Sequence, residues 1–220
     1  MALKVVCFAN YLTNINCGPW RDGDWGSNKF VHALKGHALK GESWIPVVGK
    51  QKKLNNANAS AAIGWFAEMV ADYWKNHVIK SPVSIVPIPN SDSVVGAAAP
   101  HTKLIADAVA TKIGSNVLDI VRCKEPLQSS RSGGPRAFST LYDNFTLIGK
   151  IPKGQRIILV DDVLTTGGHL TAAAARLSEG GGKVEIGFCG GRTVQQQQED
   201  CFSVIEVTVE DPLDMFDDLF

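Results

Sequence analysis

Two adjacent acids follow four apolar residues and precede paired threonines and glycines in IILVDDVLTTGGH, residues 157–169. Each residue type in that order has a chemical use. Ile157 to Val160 read as a buried strand that the chain leaves at Asp161–Asp162. Thr165, Thr166, Gly167 and Gly168 then lead into an alanine-rich helix. In open α/β sheets, ligands bind beyond the carboxyl ends of the strands. A glycine-containing turn lets backbone N–H groups converge on an anion, and a helix N-terminus adds positive partial charge. Threonine hydroxyls supply further donors. The two aspartates repel a phosphate and suit hydroxyl groups or a divalent cation instead. A ligand carrying both a phosphate and a sugar diol matches that division.

The surrounding pattern supplies a scaffold for such a turn. From residue 83 onward, apolar strand-length runs alternate with helical stretches: VSIVPIP (83–89), a helix near 100–113, NVLDIV (116–121), RIILVD (156–161), a helix near 169–179 and KVEIGFCG (183–190). That alternation predicts an α/β fold, a Rossmann-like parallel sheet flanked by helices. Residues 122–155 interrupt it and read as a functional loop, with Ser129, Ser130, Gly133, Gly134 and Pro135 clustered together. CFSVIEVTV (201–209) adds a last strand. Upstream, LKVVCFA (3–9) reads as a strand, residues 10–27 as a loop, and Ser27 as the N-cap of a helix to about Leu39. Trp44–Val48 reads as a short strand and Lys50–Asn58 as a polar loop. Residues 59–78 form an amphipathic helix with Ile63, Phe66, Ala67, Val70 and Trp74 on one face. The expected division is an N-terminal extension or hood at 1–56, a core at 57–209 and an acidic tail at 210–220.

Composition narrows the classes. The chain has 220 residues, 45% hydrophobic and 20% charged, with a formal net charge of zero. No run of about 18 apolar residues predicts a membrane span. The five cysteines (7, 17, 123, 189 and 201) form no CxxC pair, so neither a zinc ribbon nor a disulfide framework is expected. With no signal-peptide layout, a reduced cytoplasmic setting is expected. Five of the 22 acidic residues (Glu210, Asp211, Asp214, Asp217 and Asp218) sit in a tail without basic residues. The body therefore carries 22 basic against 17 acidic groups. That surplus suits a polyanionic ligand and permits weak nucleic-acid binding. Leu213, Phe216, Leu219 and Phe220 among the tail carboxylates suit a basic, grooved protein partner, or the tail is a frayed acidic terminus. A dinucleotide site is disfavoured because no GxGxxG follows an early strand, and a Walker loop is absent.

Residues 157–169 resemble the phosphoribosyl-pyrophosphate (PRPP) motif of type I phosphoribosyltransferases at every position except His169, where that family usually has Thr or Ser. The resemblance implies the type I phosphoribosyltransferase fold. It implies that Asp161 and Asp162 hold the ribose 2′- and 3′-hydroxyls, while Thr165, Thr166, Gly167, Gly168 and His169 wrap the 5′-phosphate. Other segments resemble the competence-associated ComF branch: HALKG (32–36), SIVPIPNSD (84–92), the linker with Arg122, Lys124, Pro126, Gln128, Arg131 and Arg136, DNF (143–145) and GGRT (190–193). By that resemblance Pro89, Asn90, Ser91, Asp92 and Ser93 form the pyrophosphate loop. Lys124, Arg131 and Arg136 lie on a flexible loop that closes over PRPP and meets the charge growing on the leaving group. The chain lacks that branch's four-cysteine ribbon. VVGAAAPHTK (94–103) stands where the branch commonly has Arg-Gly-Phe-Asn, leaving only His101 and Lys103.

The implied function is transfer of a phosphoribosyl group from PRPP to an acceptor, with Mg²⁺ held mainly by the ligand and pyrophosphate released. Two alternatives stay open: a non-catalytic PRPP or nucleotide sensor, and a nucleic-acid-associated accessory protein acting through partners. The expected ligand is PRPP or a ribose-5-phosphate nucleotide. The acceptor and the oligomeric state stay open, a dimer included. Trp20, Trp25 and Trp44 are candidates for an acceptor-selecting hood or for core. Lys35 either reaches the site from the N-terminal helix or, as the preferred reading, is a surface lysine, and His101 and His169 read as satisfied or exposed histidines rather than bases.

Overall fold

The alternation from residue 83 onward folds as a six-stranded sheet sandwiched between helices. A computed structural model describes residues 2–77, 82–127 and 138–210. In chain order the elements are β1 (Leu3–Leu12), α1 (Asp22–Leu34), β2 (Glu42–Val47), β3 (Lys50–Asn55), a 3₁₀ turn (Asn56–Asn58), α2 (Ala61–His77), β4 (Ser84–Pro87), α3 (Thr102–Ile113), β5 (Asn116–Val117), β6 (Val121–Cys123), α4 (Phe138–Asn144), β7 (Phe145–Leu147), β8 (Arg156–Leu164), α5 (Gly168–Glu179), β9 (Lys183–Val194) and β10 (Phe202–Val209). The main sheet runs β10-β1-β9-β8-β4-β5. β1, β9, β8, β4 and β5 pair in parallel, and β10 adds an antiparallel edge along β1. The sheet is thus mixed with mostly parallel strands. β1 lies within the stretch expected as an extension, yet it sits inside this sheet.

The side-chain parity of β8 divides the core. Ile158 and Val160 join Phe8, Phe30, Phe66, Ile105 and Phe188 beneath α1, α2 and α3. Ile157 and Leu159 join Cys7, Leu141, Phe145, Leu170, Leu177 and Cys189 beneath α4 and α5. Successive strand residues face opposite sides, so a central strand buried on both faces is apolar throughout. Phe66 meets Phe8 edge-on at 5.7 Å, a contact adding about 1 kcal/mol beyond area burial.

Several expected boundaries move. α1 starts at Asp22, not Ser27. The Asp24 carboxylate accepts the Arg21 backbone N–H at 2.9 Å, and Ser27 is buried inside the helix, its hydroxyl donating to the Asp24 carbonyl. α1 also stops at Leu34, because Gly36 takes φ +72° and closes a Schellman cap. Lys50–Asn58 is no loop: β3 pairs with β2 from Val47↔Lys50 to Glu42↔Asn55. The two residues between those strands, Val48 and Gly49, both have positive φ (46° and 73°), as a type I′ hairpin turn requires. Valine there costs about 1–2 kcal/mol. The 116–121 run splits, with β5 in the main sheet and β6 in a separate pair with β7. Arg122, buried at the start of the linker, clamps Asp119 with two hydrogen bonds of 2.6 and 2.8 Å. The segment 122–155 accordingly holds β6, α4 and β7. Residues 128–137, with Gln128, Ser129, Ser130, Arg131, Gly133, Gly134, Pro135 and Arg136, lie outside the described residues, as does the tail from 211.

Candidate active site at the carboxyl end of the sheet

β8 does not end at the acids. It continues to Leu164, with Asp161 opposite Cys189, Val163 opposite Gly191 and Leu164 opposite Arg192. The longer pairing follows from β9, which runs through GGRT to Val194 rather than stopping at Gly190. Strand parity then turns Asp162 toward the face covered by α1 and Asp161 toward the α5 face. The Asp162 backbone N–H donates to the Asp161 carboxylate at 2.8 Å, fixing the pair.

Lys35 departs from its expected surface placement. Its ammonium lies 2.7 Å from Asp162 Oδ1, with the side chains only 24% and 18% exposed. Burial pulls the Lys35 pKa down, but the charge and hydrogen bond of Asp162, with Asp161 and Tyr11, outweigh it and hold the pKa above its ordinary value. Three features place this lysine. The Schellman cap ends α1 at the right turn. His101 Nε2 lies 2.8 Å from the Leu34 carbonyl and secures the helix end. Gly190 and Gly191 let α1 approach β9, since a Cβ on Gly190 would lie 2.0 Å from Leu34 Cδ1 and 3.0 Å from the Asp162 carbonyl oxygen. The missed signal was Gly36. A glycine just past the last periodic apolar residue ends a helix, which puts Lys35 at its C-cap rather than on a continuing exposed face.

Burial raises the Asp161 carboxyl from an ordinary 3.8 to about 8; the neighbouring Asp162 charge adds to this, and Lys35 and the Asp162 backbone N–H oppose it. The Asp161 carboxyl therefore holds its proton to higher pH than an ordinary aspartate. The sign of the linkage follows. In the unfolded chain Asp161 ionises near 4, whereas in the fold it resists ionisation until about 8, so its contribution to stability is full below pH 4 and is lost as pH rises through 8. Urea titrations between pH 4 and 8 should show stability falling with pH, with a shallower fall for Asp161→Asn. Identical slopes would contradict this environment for Asp161.

The turn after β8 is built around Gly167, which adopts φ +87° at the N-terminus of α5. A Cβ there would lie 2.3 Å from Val209 Cγ1. Thr165 and Thr166 are exposed, while Gly168 and Leu170 are buried. Gly168 N–H reaches Thr166 Oγ1 only at 3.5 Å, a long bond that an anion can displace. His169 sits 6.1 Å from the Phe145 ring. One strand away, Pro87 on β4 pairs with Val160, so Pro89–Ser93 leaves the sheet beside the acid pair. Asn90 and Ser93 close that loop through bonds of 3.2 and 3.0 Å, and the Leu127 N–H donates to Ser91.

Other candidates are not brought to the acids. Lys124 donates to the Asp143 carbonyl at 2.5 Å, at the C-terminal end of α4. Lys103 pairs with Asp107 along α3. Trp20 packs against Trp25 with the ring planes tilted by 46° and the centroids 4.6 Å apart, and Trp25 lies ten residues before Lys35, about 15 Å along α1. Trp44 is 61% exposed on the β2–β3 hairpin. Arg131 and Arg136 lie outside the described residues. Among the described residues, no group of three or more His, Cys, Asp or Glu forms a metal site, and no helix is long and apolar enough to cross a membrane.

The phosphoribosyl transferase domain model matches residues 52–200. An adenine phosphoribosyltransferase of Nocardia farcinica is 34% identical over 127 residues, 49% of this chain and 60% of that protein. One of Treponema denticola is 55% identical over 40 residues, 18% of this chain and 20% of that protein. The chain thus spans less than two thirds of either relative's length. Among solved structures, a Giardia lamblia APRTase complexed with 9-deazaadenine aligns with TM-score 0.44 and 18% identity, over 79% of this chain and 98% of that one. Adenine phosphoribosyl transferase from Trypanosoma brucei aligns with TM-score 0.43 and 14% identity, over 79% and 82%. The strand–turn–helix carrying Asp161, Asp162 and Thr165–His169 falls within a family match that covers most of the chain, which belongs to the phosphoribosyl transferase domain family.

Proposed function

We propose that this protein binds PRPP across the carboxyl end of β8 and transfers its phosphoribosyl group to a nitrogen of adenine, releasing pyrophosphate. The observation that carries the reading is the acid pair at the end of a parallel strand, followed directly by the Gly167 turn into α5. Adenine is suggested by the relatives from Nocardia and Treponema. Asp161 and Asp162 take the ribose hydroxyls, and the first amides of α5 with Thr165, Thr166 and His169 take the 5′-phosphate. Backbone amides of Asn90, Ser91 and Asp92 hold the leaving pyrophosphate beside the acid pair; Lys124, Arg131 and Arg136 are the cations that the family resemblance offers for its charge, and Lys124 has to leave the Asp143 carbonyl to take that role. The carboxylate oxygens suit a hard cation. When bound, Mg²⁺, carried mainly by PRPP, would offset the charge of the pyrophosphate, with Asp161 and Asp162 as the side chains suited to meet it. The protein's own work is positioning, charge stabilisation and exclusion of water.

Within the family, the ComF-type branch is a second reading. Its support is that HALKG and GGRT, far apart in sequence, meet at Asp162 through the contact of Leu34 with Gly190. The decisive assay measures pyrophosphate release from PRPP over a panel of purine, pyrimidine and amine acceptors. Turnover with adenine supports the proposal. Turnover only with another acceptor would replace adenine, and PRPP binding without any turnover would favour the non-catalytic sensor.

A further inference from the structure

Val209 ends β10 opposite Leu3, the first residue of β1. Its side chain also lies against the Gly167 turn, where a Cβ would come within 2.3 Å of Val209 Cγ1. The chain therefore leaves the sheet at Glu210, beside the N-terminus of α5. A groove of 380 Å³ opens on the same helix. Leu3 lines it from β1, Thr171, Ala174, Ala175 and Ser178 from α5, and Lys183 from β9. Because Leu3 both lines the groove and pairs with Val209, the exit of the chain lies at the edge of the groove. The helix wall of the groove carries small side chains. Ala174 and Ala175 are half-buried and Ser178 is exposed, which leaves room for large side chains from elsewhere.

We propose that residues 211–220 of the same chain dock in this groove, with Leu213 and Phe216 against Ala174 and Ala175 and an aspartate reaching Lys183. The sequence of that segment, DPLDMFDDLF, suits the site. Leu213, Phe216 and Leu219 recur at every third position, with aspartates between them and no basic residue. The large apolar side chains gain by leaving water for the apolar groove, and the carboxylates stay solvated. Lys183 is 68% exposed, and its neighbour Glu185, 3.8 Å away, is already held by two nitrogens of Arg156, so an aspartate of the segment adds a carboxylate that Lys183 can meet. Glu210 and Asp211 start the segment beside the positive end of the α5 dipole. The reach is sufficient. α5 has 12 residues and is about 18 Å long, whereas ten residues of chain span up to about 33 Å. Tethering decides between this occupant and a second copy. A segment rooted at the edge of the groove is held there at an effective concentration on the order of millimolar. Docking also keeps Val209 against Gly167, so the segment braces the turn into α5.

Methyl and aromatic NMR of the full chain, without added ligand, tests the docking. Nuclear Overhauser contacts are expected between the Phe216 ring and the methyl groups of Ala174 and Ala175, unchanged on dilution. A mixture of labelled and unlabelled chains should show none of them between molecules. Phe216→Asp should erase these contacts, move the amide resonances of Thr171, Ala174, Ala175 and Ser178, and lower the melting temperature by about 2–8 °C. Ser178→Glu places a like charge in the groove at an exposed position, away from the core, and should move the Phe216 resonances toward those of a solvated peptide. Contacts found only between molecules would make a second copy the occupant and overturn the proposal. Absence of contacts from Phe216 to the groove, with the groove resonances indifferent to Phe216→Asp, would overturn it as well.

Discussion

Asp162→Asn is expected to weaken PRPP binding by about 10- to 100-fold, the loss that follows when charge-assisted hydrogen bonds to ligand hydroxyls become neutral ones. The substitution keeps the size of the side chain and removes only its charge, so Leu34 and Gly190 still pack around the Asp162 backbone. The Lys35–Asp162 pair is only 24% and 18% exposed, so Asn also leaves the Lys35 ammonium with a weaker partner and lowers the stability of the fold. Affinity is therefore compared at a temperature where both proteins are fully folded. Calorimetric titration of PRPP with Mg²⁺ into both proteins, alongside their melting temperatures, separates the two effects. Equal affinities would remove Asp162 from the ligand site.

Gly190→Val should have the largest effect on stability. Its Cβ would lie 2.0 Å from Leu34 Cδ1 and 3.0 Å from the Asp162 carbonyl oxygen. Leu34 is fully buried, and the carbonyl belongs to the stretch of β8 held by β9 on either side of Asp162, at Asp161↔Cys189 and Val163↔Gly191. The helix has to lift. Overpacking of this kind costs about 1–3 kcal/mol, which in a chain of this length lowers the melting temperature by about 2–12 °C. Lifting α1 also withdraws Lys35 from Asp162, so the same variant should alter PRPP affinity at temperatures where it remains folded. A melting temperature equal to that of the unaltered protein would show that α1 does not rest on β9.

The contrast between what the sequence shows and what it hides has a physical basis. The β8 acids and the Gly167 turn are legible because they form a continuous local segment whose residue types each have one chemical use. The parallel sheet is legible because its strands are buried on both faces and read as runs of Val, Ile and Leu. β3 is hidden because Lys50, Gln51, Lys52 and Lys53 sit on a two-stranded hairpin whose outer face is solvated, so no alternating pattern marks it. Lys35 is hidden for a different reason. It reaches Asp162 across 127 positions of sequence, and that reach depends on glycines in β9 and a histidine in α3. The start of α1 is set by Arg21 and Asp24 acting together, which outcompeted Ser27 as a cap.

Backbone amide NMR during a titration with PRPP and Mg²⁺ tests the central claim most directly. The account predicts that Thr166, Gly167, Gly168 and His169 shift first and furthest, as a 5′-phosphate settles on the N-terminus of α5, with Asp161 and Asp162 following. Shifts centred instead on Ser178, Lys183, Val184 and Glu185, which line a 380 Å³ groove at the amino end of β9, with the Gly167 turn silent, would contradict it.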